Sequence, residues 1–476
     1  MGLGLLRLTG FGLWTAAALL DGAAVDAATA LSQLAASFVV ESDQTEMRYR
    51  FHDLTREYAR RRALAEYPGD RGAVPAQAYR ALLTLTRRAH ARLYGGDFEV
   101  VHSTVPGWDA PPEVLAEVDG SPLDWFEKER ANIRAAVEHS AELGLTSLCW
   151  DLAVSAHEFY TIRGYFDDWY ATHAIALDAC RKADDRRGEG VVLACRNQPT
   201  LVASRRAGGL PGLSELERAA ALLAECGDRH GQAIALRTLA NALRRQGHLS
   251  RPLALFGDAL AGYTESGDML GRWQTLRYIG QTHLDRGDYD AARRVLEEVA
   301  AMAGGFGGGR PIAQTRYWIG QTCLAMGDTD AAQAEFDAVL DVFRDDTGLG
   351  RAYALHGLGD VAWRRGEYGA AERHLEEAAS LARQGDDAVL EGRVWLSAAA
   401  LHRARGQADE LAAALRRAVA VFAACGAAYL EIRALAALRG ALAERGDVAA
   451  AEQARTRIES RYEAAGVPDG DRLGGC

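Results

Sequence analysis

Lysine is almost absent from this chain of 476 residues: of its 54 basic residues, all but Lys128 and Lys182 are arginine. Neither lysine follows a glycine, so the chain carries no G-x-x-x-x-G-K-[ST] loop for cradling phosphates. Acidic residues outnumber basic ones by 65 to 54, a net charge of −11. That balance argues against direct binding to nucleic acid or to an anionic membrane surface. The seven cysteines are odd in number, scattered and without a CxxC pair. This excludes a disulfide framework or a zinc ribbon, and fits reduced thiols inside the helices of a cytoplasmic protein. Long apolar runs are missing too. Leu3 to Leu20 is interrupted by Arg7, Thr9 and Gly10, and no run reaches the ~18–20 residues that cross a bilayer. The same interruptions, with Asp21 and Asp26 following, disfavour a secretory leader. Catalytic signatures are equally scarce. G-x-S-x-G is absent, and His157-Glu158 lacks the second histidine of a zinc helix. The pairs Glu297-Glu298 and Glu376-Glu377 sit where exposed helix faces are expected. The chain therefore reads as non-enzymatic, with no metal site and no cofactor of its own.

What is present is a glycine rhythm. Gly247, Gly287, Gly327, Gly366, Gly406 and Gly446 are spaced 40, 40, 39, 40 and 40 residues apart. A second series, Gly227, Gly267, Gly308, Gly348, Gly385 and Gly426, falls midway. Two turns per period leave room for two helices of about 15 residues, a unit that buries a core only by stacking on its neighbours. Leu276, Ile279, Gly280, Gly287, Ala292 and Leu296 align with Leu355, Leu358, Gly359, Gly366, Ala371 and Leu375. The small residues Ala240, Gly280, Gly320 and Gly359 would let paired helices approach, and the turn glycines would end the first helix of each pair in the left-handed conformation. These positions resemble the tetratricopeptide repeat in a 40-residue form. The expected fold is an all-α, right-handed solenoid over 231–465, opened by a helical region over 119–230 and closed by a disordered tail, 466–476. The crowded turn at 205–215 marks a distorted unit, and the run Gly304 to Gly309 reads as an inter-repeat loop.

Upstream, residues 1–65 read as helix (Trp14–Leu20), helix (Val25–Ala36), two strands (38–40 and 47–51) joined by a turn at 42–45, and helix (52–65). That order is a winged-helix pattern. A helix from Pro75 to Leu93 and a Pro- and Gly-rich linker fill 66–118. Ser121-Pro122-Leu123-Asp124 then signals a helix start with Ser121 as cap. Another helix is expected over 145–162.

Three segments carry a second resemblance: Arg48-Tyr49-Arg50-Phe51-His52-Asp53-Leu54, Glu129-Arg130-Ala131-Asn132-Ile133, and Arg163-Gly164-Tyr165-Phe166-Asp167-Asp168-Trp169. In this order they resemble the C-terminal part of actinobacterial regulators of the AfsR (SARP) type, signal-transduction ATPases of the NB-ARC class. The resemblance implies that His52, supported by Asp53, contacts ADP, provided that an upstream nucleotide-binding domain exists. It also implies a role in transcriptional control. Met1 falls inside the family's pattern, as in a shortened relative or a truncated start.

The repeat register gives candidate inward positions. Arg237, Arg277, Tyr317 and His356 share the fifth position of the first helix, and Asn241, Gln281, Gln321 and Asp360 share the ninth. Arg244 and Trp363 lie near the helix ends. Amides could bond an extended peptide backbone and arginines could pair with acidic side chains. The alternative is a polar face that hydrogen-bonds within the solenoid. The expected partner is a protein, peptide or effector on the concave face, and a second copy of the chain is a further candidate.

Overall fold

In the computed structural model the regular elements of the described residues are helices, apart from one two-stranded sheet. The structure describes residues 2–22, 24–43, 48–66, 72–94, 100–198, 212–303, 309–344 and 348–472. The expected turns at Gly308, in the Gly304–Gly308 run and at 205–211 lie outside them. The chain forms two compact units, one of 1–196 with 218–231 and one of 197–217 with 232–476.

The first unit opens with helices Leu13–Leu20 and Ala24–Ala36, the antiparallel strands Val40–Asp43 and Arg48–Phe51, and helix Asp53–Glu66. Phe11, Ala27, Leu31, Val40 and Phe51 pack into its small core. The first strand begins later than expected. Phe38 has φ 56° and is exposed, so residues 37–39 turn out of the preceding helix instead of extending. Ser121 does not cap its helix; its Oγ donates to Asp124 Oδ2 at 2.7 Å. The helix expected over 145–162 is two, Thr146–Ser155 and His157–Arg163. At the break, His157 Nδ1 contacts the Val154 carbonyl at 3.0 Å, a local bond that competes with the helical one.

The second unit is built on six helix pairs: Arg229–Gln246 with Arg251–Ser266, Met269–Arg286 with Tyr289–Ala303, Gly309–Met326 with Thr329–Val342, Leu349–Arg364 with Tyr368–Gln384, Ala388–Ala404 with Ala408–Ala424, and Ala428–Glu444 with Val448–Ala465. It is an all-α solenoid of tetratricopeptide type. The 40-spaced glycines explain the pairing, because all six have φ between 74° and 102°. At Gly327 the backbone closes as a Schellman turn, with the Gly327 N–H on the Leu324 carbonyl and the Asp328 N–H on that of Cys323. Asp328 then caps the next helix through the Ala331 N–H at 3.0 Å. The eighth-position glycines serve packing instead. A Cβ on Gly320 would stand 2.6 Å from the Phe336 ring, and one on Gly280 2.7 Å from Leu296.

The first helices of the second to fifth pairs also touch one another in sequence, so they form the inner wall. The second helices carry an apolar stripe, such as Ala371, Leu375, Ala378 and Ala382, with charge on the outside. The wall closes on itself. Leu249, in the turn of the first pair, shares one core with Phe422, Tyr429, Ile458, Tyr462 and Val467. The expected disordered tail is part of this closure as far as residue 472. Asp471 accepts hydrogen bonds from the Leu249 N–H (3.0 Å), the Ser250 N–H (3.2 Å) and Ser250 Oγ (2.6 Å). A carboxylate with three donors at one turn holds the tail down.

Candidate functional site

The expected inward residues do lie on the inner helices, but most are bonded to the neighbouring repeat. Arg237 donates to Gln274 at 2.6 Å, and Arg277, one repeat later, donates to Gln314. Tyr317 Oη contacts His356 Nδ1 at 3.1 Å, and His356 Nε2 contacts Ser397 Oγ at 3.1 Å. Arg244 reaches Asp285 at 2.6 Å and Asn241 at 3.2 Å. Asp360 accepts from Trp363 Nε1 at 3.0 Å. Gln281 is buried and Gln321 half-buried. Burial depresses the proton affinity of His356, which favours the neutral ring that this relay of hydrogen bonds requires. The fifth-position residues are therefore braces between repeats, and the free amide ladder anticipated from the register is partly spent on the solenoid itself.

Inside the closed wall lie two cavities. One, about 430 Å³, is lined by residues that include Arg277, Tyr317, Phe343 and Asp387. The other, about 160 Å³, takes Asn241, Arg244, Gln281, Arg393 and Tyr429 from four different pairs. Trp318 and Tyr353 border both. Sequence reasoning missed Trp318, Tyr353, Asp387 and Arg393. A signal existed: Gln274, Gln314, Tyr353 and Arg393 all occupy the second register position, one helical turn before the fifth.

In the first unit, the three segments with regulator-like sequence meet. Arg48 pairs with the buried Glu129, which also accepts from Trp14 Nε1 at 3.0 Å. Asn132 donates to the Gly10 carbonyl at 2.8 Å and accepts from the Thr9 N–H at 2.9 Å. Arg130 reaches Asp168 at 2.6 Å and lies 3.5 Å from the centre of the Tyr165 ring. Each segment thus supplies the partner of the next. His52 sits at the hairpin's end beside a shallow cavity of about 910 Å³. Its Nε2 stands 3.0 Å from Glu41, to which Arg50 is also bonded at 2.5 Å. Asp53 begins the helix Asp53–Glu66.

Deeper in this unit, Asp151 binds Arg87, His102 (2.9 Å) and Ser155 (2.9 Å). Burial alone would raise its pKa, but His102 and Arg87 prevail and hold it at about 2. Both Ser155 and Asp151 approach the same nitrogen of His102, so the three do not form a proton relay through the ring. Among the described residues no helix is long and apolar enough to cross a membrane.

Comparison with known proteins places the repeats in the tetratricopeptide class: models of that repeat match residues 274–303 and 311–384, inside the stretch where the register is clearest. Over a wider span the chain is similar to a particular protein, Regulatory protein AfsR of Streptomyces coelicolor. The two are 27% identical over 315 residues, 63% of this chain and 30% of AfsR. The chain thus spans under a third of that regulator's length. Among solved structures, a Rap protein complexed with competence and sporulation factor superposes with a TM-score of 0.49 at 14% identity, covering 74% of this chain and 96% of that one. Aspartyl phosphate phosphatase F from Bacillus subtilis gives 0.46 at 13%, covering 81% and 96%.

Proposed function

We propose that this chain is the interaction and sensing part of a cytoplasmic, AfsR-like transcriptional regulator, and that its repeats take up a protein, peptide or effector on their inner face. The observation that carries this reading is the cavity pair bordered by Trp318 and Tyr353, to which inner helices of successive repeats contribute. A core that only had to be stable would fill such space, because interiors pack to crystal density. Similarity to a regulator supplies the setting.

The test is the variant Tyr278→Leu with Gln281→Ala, two cavity-lining changes. Capture of the partner from the protein's own cell extract should fall about tenfold, a loss of about 1.4 kcal/mol, while the melting temperature stays close to that of the parent. Undiminished capture would place the partner on another surface.

A second reading takes the chain as the C-terminal part of an ATP/ADP-switched regulator, with His52 sensing ADP held by an upstream nucleotide-binding domain. The basic side chains Arg48, Arg50, His52 and Lys128 around the hairpin cavity favour it. Each of them already faces a carboxylate, Glu129, Glu41, Glu41 and Glu117 respectively, so a phosphate would have to displace one. In a longer chain bearing a Gly-Lys-Ser/Thr loop, His52→Ala should speed ADP release; an unchanged rate would remove this reading.

A further inference from the structure

We infer that the larger cavity inside the repeat ring binds a small, flat, uncharged aromatic molecule of fused rings. The inference deepens the inner-face reading above by naming a class of ligand, and rests on it. Its first support is the chemistry of the lining. Tyr317, Trp318, Phe343 and Tyr353 bring four aromatic side chains to the cavity, and Val339 and Leu349 add aliphatic surface. Among the described lining residues Arg277 is the one cation and Asp387 the one carboxylate, so their formal charges cancel.

Both charged groups are already engaged. Arg277 donates to Gln314 and stands 4.9 Å from the centre of the Trp273 ring. Asp387 accepts from Tyr353 Oη at 2.7 Å and, as the cap of its helix, from the Leu390 N–H at 2.8 Å. Arg393 and Arg245, which do not line this cavity, supply opposite charge to it. A charged ligand would leave water without meeting a group that awaits its charge, and that desolvation is costly. Water fills the space poorly for the same reason, since a buried water needs several polar partners. An uncharged ring system meets aromatic and aliphatic surface and gives up no charge hydration.

The second support is the shape of the space. Its volume, about 430 Å³, falls in the range of small-molecule sites, roughly 300–1,000 Å³. It does not reflect slack packing, because the joints beside it are at contact distance. A Cβ on Gly350 would stand 2.5 Å from the Phe343 ring, and one on Gly385 2.6 Å from Leu349. Walls packed this closely would also close the space between them if stability alone were at stake. The aromatic lining is set in advance. Tyr317 meets Trp318 at 5.2 Å and Tyr353 at 4.9 Å between ring centres, with interplanar angles of 77° and 79°. Rings that hold one another at near right angles present a rigid slot, which favours a flat, rigid body.

Naphthol is a suitable probe, with naphthoate and naphthylmethylamine as anionic and cationic versions of the same ring system. Calorimetric titration of the full chain at neutral pH should detect naphthol at roughly 1 mM or below, and either charged version at least about tenfold more weakly. Ala313→Phe, which fills the cavity from its wall, should weaken naphthol at least about tenfold while the melting temperature holds or rises. Phe343→Ala provides an independent arm if that variant does not fold, and should weaken naphthol about tenfold. Tyr289→Ala, at the start of an outer helix, should leave binding unchanged. No binding of naphthol, equal binding of either charged version, or binding that survives both Ala313→Phe and Phe343→Ala overturns the inference. Tighter binding of N-acetyltryptophanamide than of naphthol would give the cavity to a peptide side chain and overturn it as well. If naphthol fails while Tyr278→Leu with Gln281→Ala still loses the partner, the aromatic-ligand inference falls and the inner-face reading stands. If naphthol binds and that variant keeps its partner, the cavity is confirmed and partner capture moves elsewhere.

Discussion

Two glycines that look alike in sequence stand for different physics. Gly287 has φ 85°, and a Cβ there would meet nothing within 4 Å, so only backbone conformation requires it. Gly287→Ala should cost about 1 kcal/mol, measured by denaturant unfolding. At Gly320 the constraint is contact, since a Cβ would stand 2.6 Å from Phe336. Gly320→Ala should cost about 2 kcal/mol, and Phe336→Leu in the same chain should recover part of it. If the two costs simply add, the close approach is not the cause. In the midway series Gly348 and Gly385 both have negative φ. That of Gly385 is −85°, and Asp386 takes the left-handed position at 53°. The sequence spacing located the turn there but not the residue that makes it. Asp151 carries a pH dependence. Its folded pKa, about 2, lies below the ordinary 3.8, so its contribution is complete above about pH 5 and is lost as pH falls through 3.8 toward 2. That difference corresponds to roughly 2 kcal/mol. Asp151→Asn should remove that acid-side slope in unfolding measured between pH 5 and pH 2; an unchanged slope would assign it to other carboxylates.

At the scale of elements, helix pairing was legible because turn glycines and three-four apolar spacing are local signals. The helix expected over Pro75–Leu93 is Ala73–Tyr94, and the hairpin and its flanking helices appear in the expected order. What escaped was decided by tertiary bonds. Ser121 prefers Asp124 to the helix N-terminus, and residues 466–472 are fixed by a partner more than 200 positions away. No local pattern announces that Asp471 caps the turn at Leu249 and Ser250. Replacing it tests the clasp: Asp471→Ala should lower stability by about 2 kcal/mol and enlarge the radius of gyration in solution scattering, because the ring can open. An unaltered radius would mean that the shared core of Leu249, Tyr429 and Val467 closes the ring without it.

For the molecule as a whole, the repeat register points to the inner helices but leaves open whether their residues bind a partner or one another. Arg237, Arg277, Tyr317 and His356 face inward and are consumed in bonds from one repeat to the next. A register gives direction and not availability, since availability depends on the residue 37 to 41 positions onward that meets it. Arg237→Ala should therefore lower the melting temperature by several degrees, the equivalent of about 1–2 kcal/mol, and impair capture only through that loss. The second-position residues Tyr353 and Arg393 line the cavities as well. The account then turns on where a partner or effector lies when bound. Photo-crosslinking decides it: a benzoylphenylalanine placed at Tyr353, on the inner wall, is compared with one at Glu372, on an outer helix. Crosslinks from position 353 and none from 372 are the result expected of a recognition chamber inside a closed ring. Crosslinks from 372 with none from 353 would contradict it.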